Sequence, residues 1–269
     1  MKRVFLAAML ALLCCVGARA DREVSRKEFV QQVYSSVVLL YSQDVSGGMT
    51  MHCTATAYRT KEHDGKKFTR FVSAAHCVKG DTDEEQSHQA FFITLDSEGA
   101  KTFIPAKLVR AGDKKKGDDF AIFEVEGDKF PVVQLGDNKK LQIGDEVVDV
   151  SSPFGLGKMY YQGYISNTHV DRPPVDAGEV EWNNVMIVSI GGGPGSSGSA
   201  IVSVEQHAIV GFLVGQISGG NIGFIVVQVD KFKAFEEAVD KGTYKKTPAK
   251  EDLLKGLFGG DFLEHLWHR

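Results

Sequence analysis

The sequence predicts an all-β protein made of two strand-rich halves. Three observations carry that expectation. From Ser36 onward, short runs rich in Val, Ile, Phe and Tyr alternate with turns of Gly, Asp, Asn and Lys. The runs fall into two sets of six, with a break near Gly127 to Lys140. The composition is that of an ordinary globular chain, 43% hydrophobic and 25% charged, which can bury a core. Many short strands with regular turns read as a sandwich or as barrels, and each set can close a small six-stranded barrel.

The elements follow in order. Lys2 and Arg3 precede an almost wholly apolar run from Val4 to Val16, and Ala18-Arg19-Ala20 supplies small residues where a signal peptidase reads. Residues 1–20 are therefore predicted to be a secretory signal peptide cleaved after Ala20, which makes the protein exported, periplasmic or secreted. The apolar run is shorter than the roughly 20 residues a bilayer span needs. Leu13 stands before Cys14 where a lipoprotein signal wants a small residue. Ser25 to Val33 reads as a short helix, capped by Ser25 with Glu28 three residues on. The first strand set is Val37–Tyr41, Met49–Tyr58, Phe68–Ser73, Ala90–Leu95, Phe103–Arg110 and Phe120–Val125. The second is Glu146–Val150, Met159–Asn167, Val185–Ser189, Ala200–Val204, Ala208–Val214 and Gly223–Val227. Asp230 to Val239 reads as a helix with Phe232, Phe235 and Val239 on one face. The tail from residue 241 to 269 turns basic and polar, then apolar again through Leu253, Leu257, Phe258 and Leu266. One domain is expected over 21–240, its halves at about 36–130 and 140–230.

Charge excludes one class of partner. Loss of Lys2, Arg3 and Arg19 with the signal leaves 28 basic and 35 acidic residues, a formal net charge of −7. A mildly acidic, mixed-charge surface gives no reason to expect nucleic acid. The same cleavage leaves Cys53 and Cys77, and an even count in an exported protein suggests one disulfide. The seven histidines other than His76 show no metal-ligand spacing, and the acidic run Asp81 to Glu85 lacks the Gly turn and terminal Glu of a calcium loop. No metal or cofactor is expected.

Three segments carry the parts of an acyl-transfer site: a nucleophile, a base, and a group that orients the base. In Val72-Ser73-Ala74-Ala75-His76-Cys77, a histidine follows small residues at a strand end. In Asp118-Asp119-Phe120-Ala121-Ile122-Phe123, an acid stands at the mouth of an apolar strand and can hold an imidazole tautomer. Asp118 competes for that role; Asp119 is preferred because it abuts the apolar run. In Gly193-Pro194-Gly195-Ser196-Ser197-Gly198-Ser199, glycines around a serine permit a sharp turn that aims two N–H groups at one point. Ser197 is the predicted nucleophile, with the N–H groups of Gly195 and Ser197 as the oxyanion hole.

These segments resemble the trypsin/chymotrypsin superfamily, in the order His, Asp, Ser. Ser73-Ala74-Ala75-His76-Cys77 resembles the T-A-A-H-C of trypsins, with Cys53 where their disulfide partner lies. Other matches are to the HtrA/Deg-type branch. Pro194-Gly195-Ser196-Ser197-Gly198 resembles P-G-N-S-G, and Leu141 to Asp145 with Ser152 to Gly157 resembles L-x-V-G-D followed by N-P-F-G-L-G. Gly163 to Ser166 resembles G-I-V-S, and Ser218 to Phe224 resembles G-G-N-I-G-F. The resemblance runs from about Val37 to Val239. It implies a chymotrypsin-like fold of two six-stranded antiparallel β-barrels with the triad between them, and peptide-bond hydrolysis without a cofactor. Polypeptide substrate would lie as an extended strand beside Val214, Gly215 and Gln216.

The departures also carry expectations. The thirty residues after Val239 are too few for a PDZ domain, so no PDZ-mediated partner is expected. Trypsins use an acid before the nucleophile to receive a new N-terminus; Ser196 stands there, which argues against that route. Six residues before Ser197, where trypsins carry their specificity acid, stands Gly191, with no carboxylate among its neighbours. Cleavage after Val, Ala, Leu or Met is therefore expected. The competing readings are a catalytically silent, chaperone-like binder of the same fold and an esterase with the same triad.

Overall fold

Short apolar runs that are buried along most of their length need cover on both faces, and here they find it by curling into closed barrels. The computed structural model describes residues 25–43, 46–78, 85, 89–97, 100–174, 182–218 and 222–245. The first barrel comprises β1 (Val37–Gln43), β2 (Met49–His63), β3 (Lys66–Ser73), β4 (Ala90–Ser97), β5 (Ala100–Ala111) and β6 (Ala121–Glu126), in the order β1-β2-β3-β6-β5-β4. The second comprises β7 (Glu146–Ser151), β8 (Met159–Val170), β9 (Val185–Ser189), β10 (Ala200–Ser203), β11 (Ala208–Gln216) and β12 (Phe224–Gln228). Its order is β7-β8-β9-β12-β11-β10, the same topology repeated. All strand pairs are antiparallel, and closure leaves neither sheet a long free edge. The double barrel expected from the family resemblance is the observed fold.

Two differences from the sequence reading have plain causes. The hairpin of β2 and β3 extends past Tyr58 through Arg59 to His63, all polar, because those residues pair with Lys66 to Arg70. Asp64 and Gly65 turn it, both at positive φ (53° and 70°), as a two-residue hairpin turn requires. Phe120 lies outside β6. Its N–H bonds Asp118 O at 2.9 Å and its carbonyl accepts Gly112 N–H at 2.7 Å, so it belongs to the loop before the strand.

Both barrels belong to one compact unit. Helix α1 (Arg26–Ser36) starts with a reciprocal cap: Glu28 N–H donates to Ser25 Oγ at 3.3 Å, and Ser25 N–H to Glu28 Oε2 at 3.1 Å. The predicted signal peptide and most of the tail lie outside the described residues. Among the described residues no helix is long and apolar enough to cross a membrane.

Helix α2 (Val229–Asp240) buries an aromatic face. The Phe232 ring packs on Phe212 of β11 at 4.9 Å, on Tyr58 of β2 at 5.1 Å and on Phe120 at 5.2 Å. One side chain thus joins both barrels. Beside it, buried Arg70 of β3 bonds Glu124 of β6 at 2.8 Å, Asp240 at 2.7 Å and Glu236 at 3.3 Å. Tyr58 OH and Arg59 also reach Glu236, at 3.0 and 3.2 Å. Removing Arg70 leaves two buried carboxylates short of their main cation. Arg70→Leu is expected to cost about 3–5 kcal/mol in unfolding free energy. Urea denaturation measures it; a loss below about 1 kcal/mol would show that the network does not bind α2 to the barrel.

Candidate active site

His76 sits in the single 3-10 turn Ala75–Cys77 that ends β3. Cys77 is disulfide-bonded to Cys53 of β2, with Cα atoms 6.1 Å apart, which fixes the turn to the neighbouring strand. Asp119 is buried and grips His76 at two points. Its Oδ1 accepts the His76 N–H at 2.8 Å, and its Oδ2 lies 2.6 Å from Nδ1. This geometry assigns the proton to Nδ1 and leaves Nε2 as an acceptor. Burial opposes the imidazolium, but the charge and hydrogen bond of Asp119 outweigh both that and nearby Lys114, and hold the His76 pKa above its ordinary value. Asp118, its rival in the sequence, turns away to Tyr244 OH at 3.2 Å and Lys231 at 3.5 Å.

The serine turn is shaped by its own chemistry. Ser196 N–H bonds Gly193 O at 2.9 Å across Pro194 and Gly195. Proline cannot take a positive φ and Gly195 does, at 99°, which defines a type II turn. Pro194 O accepts the N–H of Phe154 at 2.6 Å. A trans peptide carries its C=O and N–H in opposite directions, so Gly195 N–H faces away from Phe154. Among the described residues, neither Gly195 N–H nor Ser197 N–H has a protein acceptor. Two free donors beside the serine are what an oxyanion needs.

The same turn is pressed against the histidine turn. A Cβ on Gly198 (φ 83°) would lie 2.5 Å from Ala74 N and 2.6 Å from Thr54 O, so only glycine fits. Ser197 O accepts Thr54 N–H at 3.0 Å, and Gly198 N–H bonds Leu213 O at 2.7 Å. The fold therefore brings His76 and Asp119 into direct contact and sets Ser197 against the residues leading into His76. No hydrogen bond between Ser197 Oγ and His76 is formed among the described residues. Cys53, His76 and Cys77 also offer atoms within 4.8 Å of one another, but both sulfurs are consumed by the disulfide and no thiolate is left for a metal.

A model of the trypsin-like peptidase domain matches residues 60–212. The chain belongs to the trypsin-like peptidase family. One relative is a probable periplasmic serine endoprotease, DegP-like, from Bartonella henselae. It is 27% identical over 161 residues, 58% of this chain and 30% of that protein. Another is the periplasmic pH-dependent serine endoprotease DegQ of Escherichia coli, 25% identical over 216 residues, 69% of this chain and 47% of that protein. The chain thus spans less than half the length of these relatives. Among solved structures, the HtrA-type protease AlgW with decapeptide is 17% identical with a TM-score of 0.62, covering 82% of this chain and 69% of that one. The crystal structure of Deg5 is 16% identical with a TM-score of 0.60, covering 83% of this chain and all of that one. These likenesses establish the shared fold.

In this trypsin-like peptidase domain a cavity of about 310 Å³ is lined by Ser189, Ile190, Gly191, Gly192, Gln216, Gly223 and Phe224. None of these side chains is charged. Gly191 is required because the Tyr161 ring lies directly behind it, and a Cβ on Gly192 would meet the Phe224 ring at 3.1 Å. The pairing of β11 with β10 ends at Phe212, so Val214, Gly215 and Gln216 keep one strand edge free of β partners.

One buried group escaped the sequence reading. Asp149 of β7 has no exposed surface; its Oδ2 accepts the Ser151 hydroxyl at 2.7 Å, and its Oδ1 has no partner. Burial pushes its pKa up to about 7, against the hydrogen bond of Ser151. A lone acid inside the run Val147 to Val150 was the available signal. The folded pKa lies above the unfolded one, so this group's stabilisation is full below about pH 4 and is lost as pH rises towards 7. Asp149→Asn is expected to remove that loss, by up to about 4 kcal/mol at pH 8 relative to pH 4. Urea midpoints at the two pH values check this; identical pH dependence in both proteins would refute it.

Proposed function

We propose that this chain is an exported serine endopeptidase that cleaves polypeptides through an acyl-enzyme. The observation that carries the reading is the two-point grip of Asp119 on His76, beside a Pro-Gly-Ser-Ser-Gly turn with two free N–H donors. In this reading His76 Nε2 takes the proton of Ser197 Oγ as that oxygen attacks the scissile carbonyl. The N–H groups of Gly195 and Ser197 receive the oxyanion. His76 then returns the proton to the leaving amine, and water hydrolyses the ester by the same route. All the chemistry is done by side chains and backbone, without a cofactor.

Substrate would pair as an extended strand along Val214 to Gln216 and place one side chain in the neutral cavity at Gly191. A Lys or Arg head there would be a buried unpaired charge. Cleavage after small or medium apolar residues follows, with shallow discrimination, since one methylene is worth about 1–3 kcal/mol. Export rests on the signal-like residues 1–20 and on the word periplasmic in the relatives' names. One observation favours a second reading, a silent binder of the same fold: Ser197 and His76 are not hydrogen-bonded. Free enzymes often tighten that bond only with substrate present.

A fluorophosphonate probe separates the two. Labelling at Ser197 that is absent in Ser197→Ala supports the enzyme; an unlabelled native protein supports the binder. On a protein substrate, Ser197→Ala and His76→Ala should each lose about 10⁶ in turnover. Asp119→Asn should lose about 10⁴ through the wrong tautomer. Activity should fall as pH drops through the His76 pKa, at a midpoint above the ordinary imidazole value. A peptide-library digest tests the pocket, and dominant cleavage after Arg or Lys would overturn it.

A further inference from the structure

The loop that delivers Asp119 is closed from outside the barrels. Residues 113–118 form a tight turn: Lys116 N–H and Asp118 N–H both bond Asp113 O at 3.0 Å. The turn returns so sharply that a Cβ on Gly112 would collide with the backbone of Asp118. Its two ends are bridged by one atom. Tyr244 OH accepts the N–H of Asp113 at 2.8 Å and donates to Asp118 Oδ2 at 3.2 Å. Asp119 is the next residue, and both of its oxygens are committed to His76.

Tyr244 is itself rigidly held. Its N–H and that of Thr243 both bond Ala238 O at the end of α2, at 3.1 and 2.8 Å. Its ring meets Phe235 edge-on at 4.7 Å, and the Arg110 guanidinium lies 5.7 Å over it. Arg110 also donates to Tyr244 O at 3.3 Å. From the other end of α2, Lys231 reaches Asp118 Oδ1 at 3.5 Å and Lys116 O at 3.3 Å. Lys231 of α2 and Tyr244, which follows the helix, therefore both hold the loop.

We propose that Tyr244 is a positioning residue for the reaction: its hydroxyl staples Asp113 to Asp118 and thereby fixes Asp119 against His76. The inference rests on the reading of His76 and Asp119 as the working pair. Nothing in it requires Tyr244 to touch substrate. A tyrosine five residues past Val239, outside the barrels, thus acts on the centre through Asp118. The charged groups facing this assembly are Asp113, Asp118, Arg110 and Lys231 around Tyr244, and Asp119 and Lys114 around His76.

Tyr244→Phe keeps the ring contacts and removes only the staple. It should lower kcat about tenfold with KM unchanged, since a slightly misplaced base slows chemistry without weakening binding. The acid limb of the pH profile should move to lower pH, because a looser Asp119 supports the imidazolium less. Asp118→Ala, which removes the acceptor, should do the same, and the double variant should lose no more than either single one. A readout independent of turnover is the low-field NMR proton of His76 Nδ1–H, which should broaden or shift upfield in both variants. A Tyr244→Phe protein with unchanged kcat, pH limb and His76 signal, whatever its melting temperature, would overturn the proposal. If the native protein hydrolyses nothing, the functional reading fails, and the NMR signal still decides the staple.

Discussion

The structure turns on one buried threonine at the seam between the barrels. Thr54 has no exposed surface, and its polar atoms reach both barrels. Its N–H holds Ser197 O, and its carbonyl accepts the Ser73 hydroxyl at 2.7 Å. Its own hydroxyl donates to Gly195 O at 2.9 Å and accepts Ser152 N–H at 3.0 Å. The next residue back, Cys53, is covalently tied to the histidine turn. A single stretch of β2 therefore sets the serine turn, the histidine turn and the start of the Ser152–Phe154 segment relative to one another. Buried polar groups that are fully paired specify one arrangement, because each alternative leaves a donor or acceptor unmade.

The acid is held by a different device, built from apolar surface. Phe120, beside Asp119, packs on Phe212 at 5.9 Å, Phe232 at 5.2 Å and Phe235 at 5.7 Å. These rings come from the second barrel and from α2. Asp119 can stay buried because its two oxygens are both paired and its neighbour is anchored by packing. His76 and Asp119 thus depend on contacts that neither barrel supplies alone.

What was legible in the sequence follows from this division. The strand Val185–Ser189 is uniformly apolar except at its end and reads directly. His76 and Asp119 were legible because each stands at the edge of a buried run. The extension of β2 through Arg59 to His63 was not, since polar residues paired on a solvent face leave no hydrophobic period. The positive φ of Phe154 (53°) has no sequence signal either, because a bulky residue is strained there. Its reason is tertiary: the Phe154 N–H is needed by Pro194 O. Asp149 hid among valines, and Tyr244 lay beyond the last predicted element.

The departures from the family pattern now have a local explanation. Trypsins place an acid before the nucleophile to be neutralised by a new N-terminus, and here Ser196 occupies that place. Ser196 is fully buried, and its hydroxyl accepts the N–H of Gly193 at 3.2 Å while its own N–H bonds Gly193 O. The turn therefore closes on itself with neutral groups. No buried carboxylate at this position awaits a cation, so the turn can form without a cleavage event to supply one. The two peptides flanking Gly195 are set by Phe154, which bonds Pro194 O, and by Thr54, which bonds Gly195 O, both within the same folded unit. The type II geometry of the serine turn is thus a property of the folded chain itself, built from hydrogen bonds already in place.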